Sequence, residues 1–237
     1  MTYIAGFVAA VPAANKEAYR QLAEETVAIF QEFGAKRLME VWGDEVPDGK
    51  VTDFRRAVKA KPDEVIVYSW HEYPTREAAQ EANRKMIADP RMEEIAKNMP
   101  FDGTRMLYGG FDEILDTGRG GKPGYVDGAL APVPVDRFED YRTLARQQVE
   151  VFKENGATRI FETWGDFLPD GQVTDFKDAV QAKDGETVIF SVVEWPSKEV
   201  RDAAWPKIFE DPRMHSADQP QDEARRIYGG FVPLLDA

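Results

Sequence analysis

From Tyr3 to Val11 nearly every position is apolar, and Pro12 ends the run. A short run of aromatic and β-branched residues stopped by a breaker predicts a strand. The period then changes. Over Asn15–Phe33, Tyr19, Leu22, Ala23, Val27 and Phe30 recur three and four apart, and Gly34 follows. That spacing predicts a helix with a glycine stop. Ala35–Trp42 returns to alternation, with Leu38, Glu40 and Trp42 on one face and Arg37, Met39 and Val41 on the other. Pro47-Asp48-Gly49 is turn chemistry, and Thr52 or Asp53 stands where a short helix through Ala60 would be capped. Glu64–Tyr73 predicts a third strand, with Ile66, Tyr68 and Trp70 opposite Val65, Val67 and Ser69. Thr75–Ala88 predicts a second helix that stops before Pro90, and Arg105–Ile114 a fourth strand. The order strand–helix–strand–strand–helix–strand is the ferredoxin-like split βαβ arrangement.

This unit is written twice. Trp42–Lys61, WGDEVPDGKVTDFRRAVKAK, returns as WGDFLPDGQVTDFKDAVQAK at Trp164–Lys183. Asp89–Met92 returns at Asp211–Met214, and Tyr108-Gly109-Gly110-Phe111 at Tyr228-Gly229-Gly230-Phe231. A spacing of about 122 residues is a domain-sized duplication, since solenoid units run about 20–50 residues. The halves span residues 1–116 and 125–237, and the Gly-rich stretch Thr117–Gly124 links them. A linker this short reaches about 25 Å at about 3.3 Å per residue, so the copies must be neighbours.

In each unit the helices cover one face of a four-stranded sheet, yet aromatic and aliphatic residues fill both faces of the third strand. A lone unit would expose a large apolar patch. The expected fold is therefore α+β: two ferredoxin-like βαββαβ halves packed sheet to sheet as a fused pseudo-dimeric α/β barrel. The internal pseudo-dimer leaves either a monomer or a dimer of fused chains open.

Composition narrows the function. The 237 residues carry a formal charge of −13, with a pI near 4.7, which argues against nucleic-acid binding through phosphate neutralisation. With no Cys, disulfides, thiolate metal sites and a Cys nucleophile are excluded. No apolar stretch approaches the about 20 residues that span a bilayer, so no membrane partner is expected. The N-terminal apolar run lacks a basic region before it and reads as the first strand rather than a signal peptide, which makes the cytoplasm the expected compartment. No phosphate loop, dinucleotide fingerprint, nucleophile elbow or zinc spacing occurs; neither a cofactor nor a metal is expected.

Residues kept in both halves are the candidates for a symmetric site. Glu40 and Glu162 share a strand face with Trp42 and Trp164, and a carboxylate on an apolar face is costly unless paired or protonated. Glu72 and Glu194 fall in series with Tyr68/Phe190 and Trp70/Val192. These four acids are the candidate catalytic bases. Arg37/Arg159 and Arg91/Arg213 also recur, as salt-bridge partners of the acids or as anion-stabilising groups. Tyr3/Tyr125 and Tyr108/Tyr228 could donate to a ligand carbonyl or an enolate. Together with Trp42 and Trp164 these tyrosines and arginines form the candidate ligand-binding set. The repeated acids Asp44, Asp48 and Asp53, returning as Asp166, Asp170 and Asp175, lack EF-hand spacing and read as turn and cap residues. The two histidines do not recur: His71 matches Val193 and His215 matches Glu93. That excludes a paired His site but leaves a single site in one half open. Trp70 matches Val192 and Asn83 matches Trp205, so any cavity should be asymmetric.

The stretch WGD-x-x-PDG-x-VTDF, followed by EYP, DPRM and YGGF, resembles the YbaA-like family of bacterial proteins of unknown function, across each half nearly end to end. The resemblance implies a dimeric α+β barrel and brings no established activity. Family members are typically single units, and this chain departs by tandem fusion. Similar barrels in other families act as cofactor-free oxygenases, haem-degrading enzymes, dismutation enzymes or sensors, an analogy of fold. The reading that follows is a protein binding a small, partly apolar molecule in the barrel or at its mouth. The alternatives are a cofactor-free oxygenase or isomerase, with a glutamate as base and a Tyr or Arg stabilising the anion, and a structural or partner-binding protein with a filled barrel.

Overall fold

The alternating runs become strands and the three-four runs become helices, in the computed structural model, which describes residues 1–118, 121–215 and 218–237. Residues 119 and 120 of the expected linker Thr117–Gly124 lie outside the described residues. The first half runs β1 (Tyr3–Pro12), α1 (Lys16–Glu32), β2 (Arg37–Glu45), α2 (Phe54–Ala57), β3 (Glu64–Tyr73), α3 (Arg76–Ala88), α4 (Pro90–Lys97) and β4 (Leu107–Asp116). The second runs β5 (Tyr125–Pro134), α5 (Phe138–Glu154), β6 (Arg159–Phe167), α6 (Phe176–Ala179), β7 (Glu186–Trp195), α7 (Lys198–Glu210) and β8 (Ile227–Asp236).

Helix α4 is absent from the expectation above. Pro90 sits in its first turn, where a missing N–H costs nothing, and the Asp89 side chain accepts from Arg91 N. A Lys97–Glu93 pair one turn apart supports it. After Asp211 the described residues of the second half have a 3-10 turn, Pro212–Met214, in the place of this helix.

The eight strands form one closed barrel in the order β1-β3-β2-β8-β5-β7-β6-β4. Each half supplies the ferredoxin-like order, its fourth strand beside its first. The sheets face each other and join at two antiparallel seams, β2 with β8 and β4 with β6, each carrying two register shifts. Closure leaves no free edge among the described strands to recruit another.

The interior is filled with aromatic side chains. Tyr68, Trp70, Phe111, Phe161, Phe190 and Phe231 are all fully buried. Tyr68 and Phe190, equivalent residues from the two halves, stack at 4.4 Å across the pseudo-twofold. Each lies over a glycine of the other half's first strand. A Cβ on Gly6 would meet the Phe190 ring at 2.7 Å, and one on Gly128 the Tyr68 ring at 2.9 Å. The repeated VTDF segment closes one end. Phe54 and Phe176 enter the core, Thr52 Oγ1 donates to Ala179 O at 2.9 Å, and Thr174 Oγ1 to Ala57 O at 2.8 Å. Asp53 and Asp175 cap α2 and α6, as turn-and-cap residues should. The longest repeated motif thus welds the halves. A ligand inside the barrel does not fit this core: the rings that make the sheet faces apolar also occupy the space between them. No helix among the described residues is long and apolar enough to cross a membrane.

Candidate functional site

Strand alternation sorts the candidate acids into two compartments. On β3 the even positions point inward, so Glu72 and its counterpart Glu194 lie inside the barrel at the end opposite the VTDF plug. There each meets the arginine of the other half. Arg37 Nη1 donates to Glu194 Oε1 at 2.6 Å, and Arg159 Nη1 to Glu72 Oε1 at 2.7 Å. Asp236 and Asp116 take the other sides of the same guanidiniums at 2.7 and 2.6 Å. Both arginines are at most 2 % exposed. Burial pushes the Glu194 carboxyl above the usual carboxylate range despite Arg37, while Arg159 holds Asp116 below it against the opposing effect of burial. This network ties half to half, and its groups face one another rather than an open space.

Glu40 and Glu162 point the other way, into the layer between sheet and helices. Tyr19 of α1 donates to Glu40 at 2.6 Å, and Tyr141 of α5 to Glu162 at 2.7 Å. Beyond these bonds the two environments part. Ser191 also donates to Glu162, and burial raises the Glu162 carboxyl. Glu40 instead has His71 Nε2 at 3.8 Å, within ion-pair range but too long for a hydrogen bond.

His71 opens onto a cleft of about 130 Å³ on the outside of the first sheet, beneath α3. The sheet contributes Tyr3, Ala5 and Phe7 from β1, His71 and Tyr73 from β3, and Tyr108 and Gly110 from β4. Helix α3 contributes Ala79, Gln80, Asn83 and Met86, and Phe167 enters from the second half. The sheet-facing positions Ala79 and Ala82 are small, which leaves room beneath the helix. Gly110 lets Tyr3 lie across β4, because a Cβ there would collide with the Tyr3 hydroxyl. Phe7 stacks on Tyr108 at 5.2 Å, and His71 sits between Phe7 and Phe30, at 5.0 and 4.5 Å.

Two buried polar atoms of this lining have no hydrogen-bond partner: His71 Nδ1 and Tyr73 Oη. His71 is 4 % and Tyr73 1 % exposed. Leaving such a group unpaired costs about 1–3 kcal/mol, so proteins rarely keep one without use. Burial raises the phenols of Tyr73, Tyr108 and Tyr3 above their ordinary value, so all three stay protonated donors at neutral pH. Tyr3 donates to Asp166 at 3.3 Å and separates this cleft from a wider depression of about 460 Å³ that includes Arg76, Asp112, Phe138 and Trp164. Arg76 there is held by Asp112 and by Asp166, the latter at 2.9 Å.

The matching place in the second half is sealed. Ala5 is replaced by Asp127, Tyr73 by Trp195, Ala79 by Arg201 and Asn83 by Trp205. Both indoles donate to Asp127 Oδ2, at 2.8 and 3.1 Å, and Arg201 binds the same carboxylate at 2.8 Å. Arg201 also reaches Glu45 of the first half at 2.8 Å.

The remaining candidates scatter. Tyr125 donates to Asp44 at 2.9 Å under Lys198 and Arg201. Trp42 packs with Tyr19 beneath Lys16. Tyr228 is 55 % exposed. Arg91 and Arg213 lie outside either compartment: each is an exposed surface residue bound to its own cap aspartate and to a helix-end glutamate, Arg91 to Asp89 and Glu32, Arg213 to Asp211 and Glu154. The geometry brings neither to the acids that the sequence reading pairs with them. Tyr3 and Tyr108 alone of that ligand-binding set line the cleft. His71 and Tyr73 were outside the set because a search for recurrence passes over one-sided residues. The signal for them was that same asymmetry, His71 against Val193 and Asn83 against Trp205.

Comparison with known proteins agrees with the duplicated architecture. A family model described as a protein of unknown function, DUF1428, matches residues 2–103 and again 124–223. The uncharacterized protein YbaA of Escherichia coli K12 is 57% identical over 116 residues, which is 49% of this chain and 99% of that protein. Its Shigella flexneri counterpart matches equally. Among solved structures, a presumed monooxygenase from Fusobacterium nucleatum superposes with a TM-score of 0.64 at 11% identity, over 99% of this chain and 93% of the other. An anthrone oxidase-like protein superposes at 0.55 and 12% identity, over 100% and 92%. At such identities the likeness is one of fold.

Proposed function

Because the chain belongs to DUF1428, a family of proteins of unknown function, and carries two copies of its unit, no activity comes to it by descent, and we propose that it binds a small, partly apolar molecule in the cleft beneath α3 of the first half. One observation carries this reading: the cleft holds two buried polar atoms without partners, His71 Nδ1 and Tyr73 Oη. A bound molecule that pairs with them recovers the hydrogen bonds that folding leaves unmade. A filled barrel is also what a purely structural protein would have; the cleft lies outside that barrel and separates the two readings.

The test copies the second half. Asn83→Trp introduces the residue found at the sealed position 205. A library of small fragments is screened by thermal melting against wild type and this variant. A bound ligand raises the melting temperature by mass action. Fragments that stabilise wild type and leave Asn83→Trp unmoved are the expected result. Fragments that stabilise both equally, or none at all, would overturn the reading.

An enzymatic reading has its own support in the acid–imidazole pair. His71 Nε2 faces Glu40 at 3.8 Å, with Tyr19 fixing the carboxylate from behind. With Nε2 turned toward this carboxylate, Nδ1 is the ring nitrogen placed to take a proton from a ligand held against it. The protonated Tyr3 and Tyr108 would then donate to the anion formed. Deprotonation is the step that a cofactor-free oxygenase and an isomerase share. The monooxygenase and oxidase descriptions of the fold neighbours fit the first of these by analogy of fold.

A further inference from the structure

The volume and the two unpartnered atoms of the cleft define a ligand class, an inference that rests on the binding reading above. We propose that the cleft takes a neutral, single-ring hydroxy-aromatic molecule, a phenol, one per chain.

Size sets the ring count. An apolar cavity of about 150 Å³ accepts benzene, and this cleft offers about 130 Å³. One six-membered ring with a small substituent fills it. A fused second ring exceeds that volume and would have to project from the open side of the cleft, so the polycyclic class suggested by an anthrone oxidase-like fold neighbour fits it less well. Shape sets the flatness: Phe7 and Tyr108 present stacked rings, and Met86 and Phe167 add apolar surface.

Hydrogen bonding sets the substituent. Glu40 stands 3.8 Å from His71 Nε2, which favours the tautomer carrying its proton there. Nδ1 is then a lone pair, and it calls for an O–H donor. The Tyr73 hydroxyl, kept protonated by burial, calls for an acceptor. A phenolic oxygen on that side of the ring meets both needs: it donates to His71 Nδ1 and accepts from Tyr73. Charge sets the neutrality. The hydroxyls of Tyr3 and Tyr108 and the amides of Gln80 and Asn83 are the other side-chain polar groups of the lining, all uncharged, Glu40 stands behind the imidazole, and the nearby Arg76 is committed to Asp112 and Asp166. Among the described residues the lining offers a carboxylate no lysine or arginine. Sealing of the second half by Trp205, Trp195 and Arg201 around Asp127 sets the stoichiometry.

Titration calorimetry with phenol, toluene, benzoate, 1-naphthol and anthrone tests each term. Phenol should bind wild type one to one, at least tenfold tighter than toluene, benzoate or 1-naphthol. Tyr73→Phe, which removes a single oxygen and keeps the packing, should weaken phenol several-fold and leave toluene unchanged. Tighter binding of 1-naphthol or anthrone would overturn the ring count, tighter benzoate the neutrality, and two phenols per chain the sealed second half. If other fragments bind in the Asn83-dependent manner described above while phenol does not, the ligand class falls and the site stands. If nothing binds in that manner, both fall.

Discussion

The two halves keep the same arginine–glutamate network inside the barrel, where Trp70 against Val192 is a change of bulk, and differ in chemistry outside it. Inward, the pairs Arg37/Arg159, Glu72/Glu194 and Tyr68/Phe190 occupy equivalent places and contact each other across the pseudo-twofold. Outward, beneath α3 and α7, Ala5, Tyr73, Ala79 and Asn83 face Asp127, Trp195, Arg201 and Trp205. Closing one barrel makes each half the packing partner of the other, so an interior change on one side is felt on both. The outer layers have no such tie. In a dimer of identical units any substitution appears twice. Fusion lifts that constraint, and here one copy retains an open cleft while the other becomes a plug.

The interior should respond symmetrically and strongly. Arg37→Ala removes the short ion pairs of Glu194 and Asp236 and leaves Glu194 with Arg159 at 3.6 Å; Arg159→Ala removes those of Glu72 and Asp116 and leaves Arg37 at 3.5 Å from Glu72. Each should lower stability by about 3–5 kcal/mol, the cost of removing one partner from a buried ion pair, measured by guanidinium denaturation. A difference beyond about 1 kcal/mol between the two would break the interior equivalence, on the usual spread of such values.

The outer layers should respond with opposite signs. Asp127→Ala removes the acceptor of two indoles and of Arg201, at an expected loss of about 2–3 kcal/mol. Tyr73→Phe removes a hydroxyl without a partner and should leave stability unchanged or raise it by up to about 1 kcal/mol. Urea unfolding of both variants settles the contrast. A clear loss for Tyr73→Phe would mean that the protein already satisfies that hydroxyl.

The smallest effect is an acid-limb symmetry. Arg105 and Arg225 hold Glu64 and Glu186 below the usual carboxylate range, against the opposing effect of burial. The folded value lies below the unfolded one of about 4.3. The stabilisation is therefore complete above that pH and is lost as pH falls through the lowered folded value. Glu64→Gln and Glu186→Gln should each flatten the fall in urea midpoint below about pH 4.3, and by similar amounts. Unequal flattening would show that the Arg105–Glu64 and Arg225–Glu186 pairs have diverged as well.

Much of the fold was legible because its causes are local or repeated. Alternation over Glu64–Tyr73 gives β3, the breaker Pro90 ends α3, and the bare apolar sheet face calls for a second sheet. The Trp42–Lys61 repeat read as a specific motif, and its role as a barrel plug follows only from Phe54 and Phe176 entering the same core. The acids were found, but alternation on two different strands sends Glu72 inward and Glu40 outward, and only the pairing of β2 with β3 puts Glu40 beside His71. The cleft itself was the least legible part. It depends on α3 standing off the sheet over Ala79, and on the absence of what Trp205 does in the other half.

The chain holds only two histidines, which makes imidazole ¹⁵N NMR the most direct test of a one-sided site. With His215 assigned by His215→Gln, phenol is titrated into wild type. The account predicts that the His71 Nδ1 resonance starts at the position of an unprotonated ring nitrogen and shifts to saturation at one equivalent, while His215 stays fixed. A calorimetrically bound phenol that leaves His71 unmoved would place binding elsewhere and contradict the central claim.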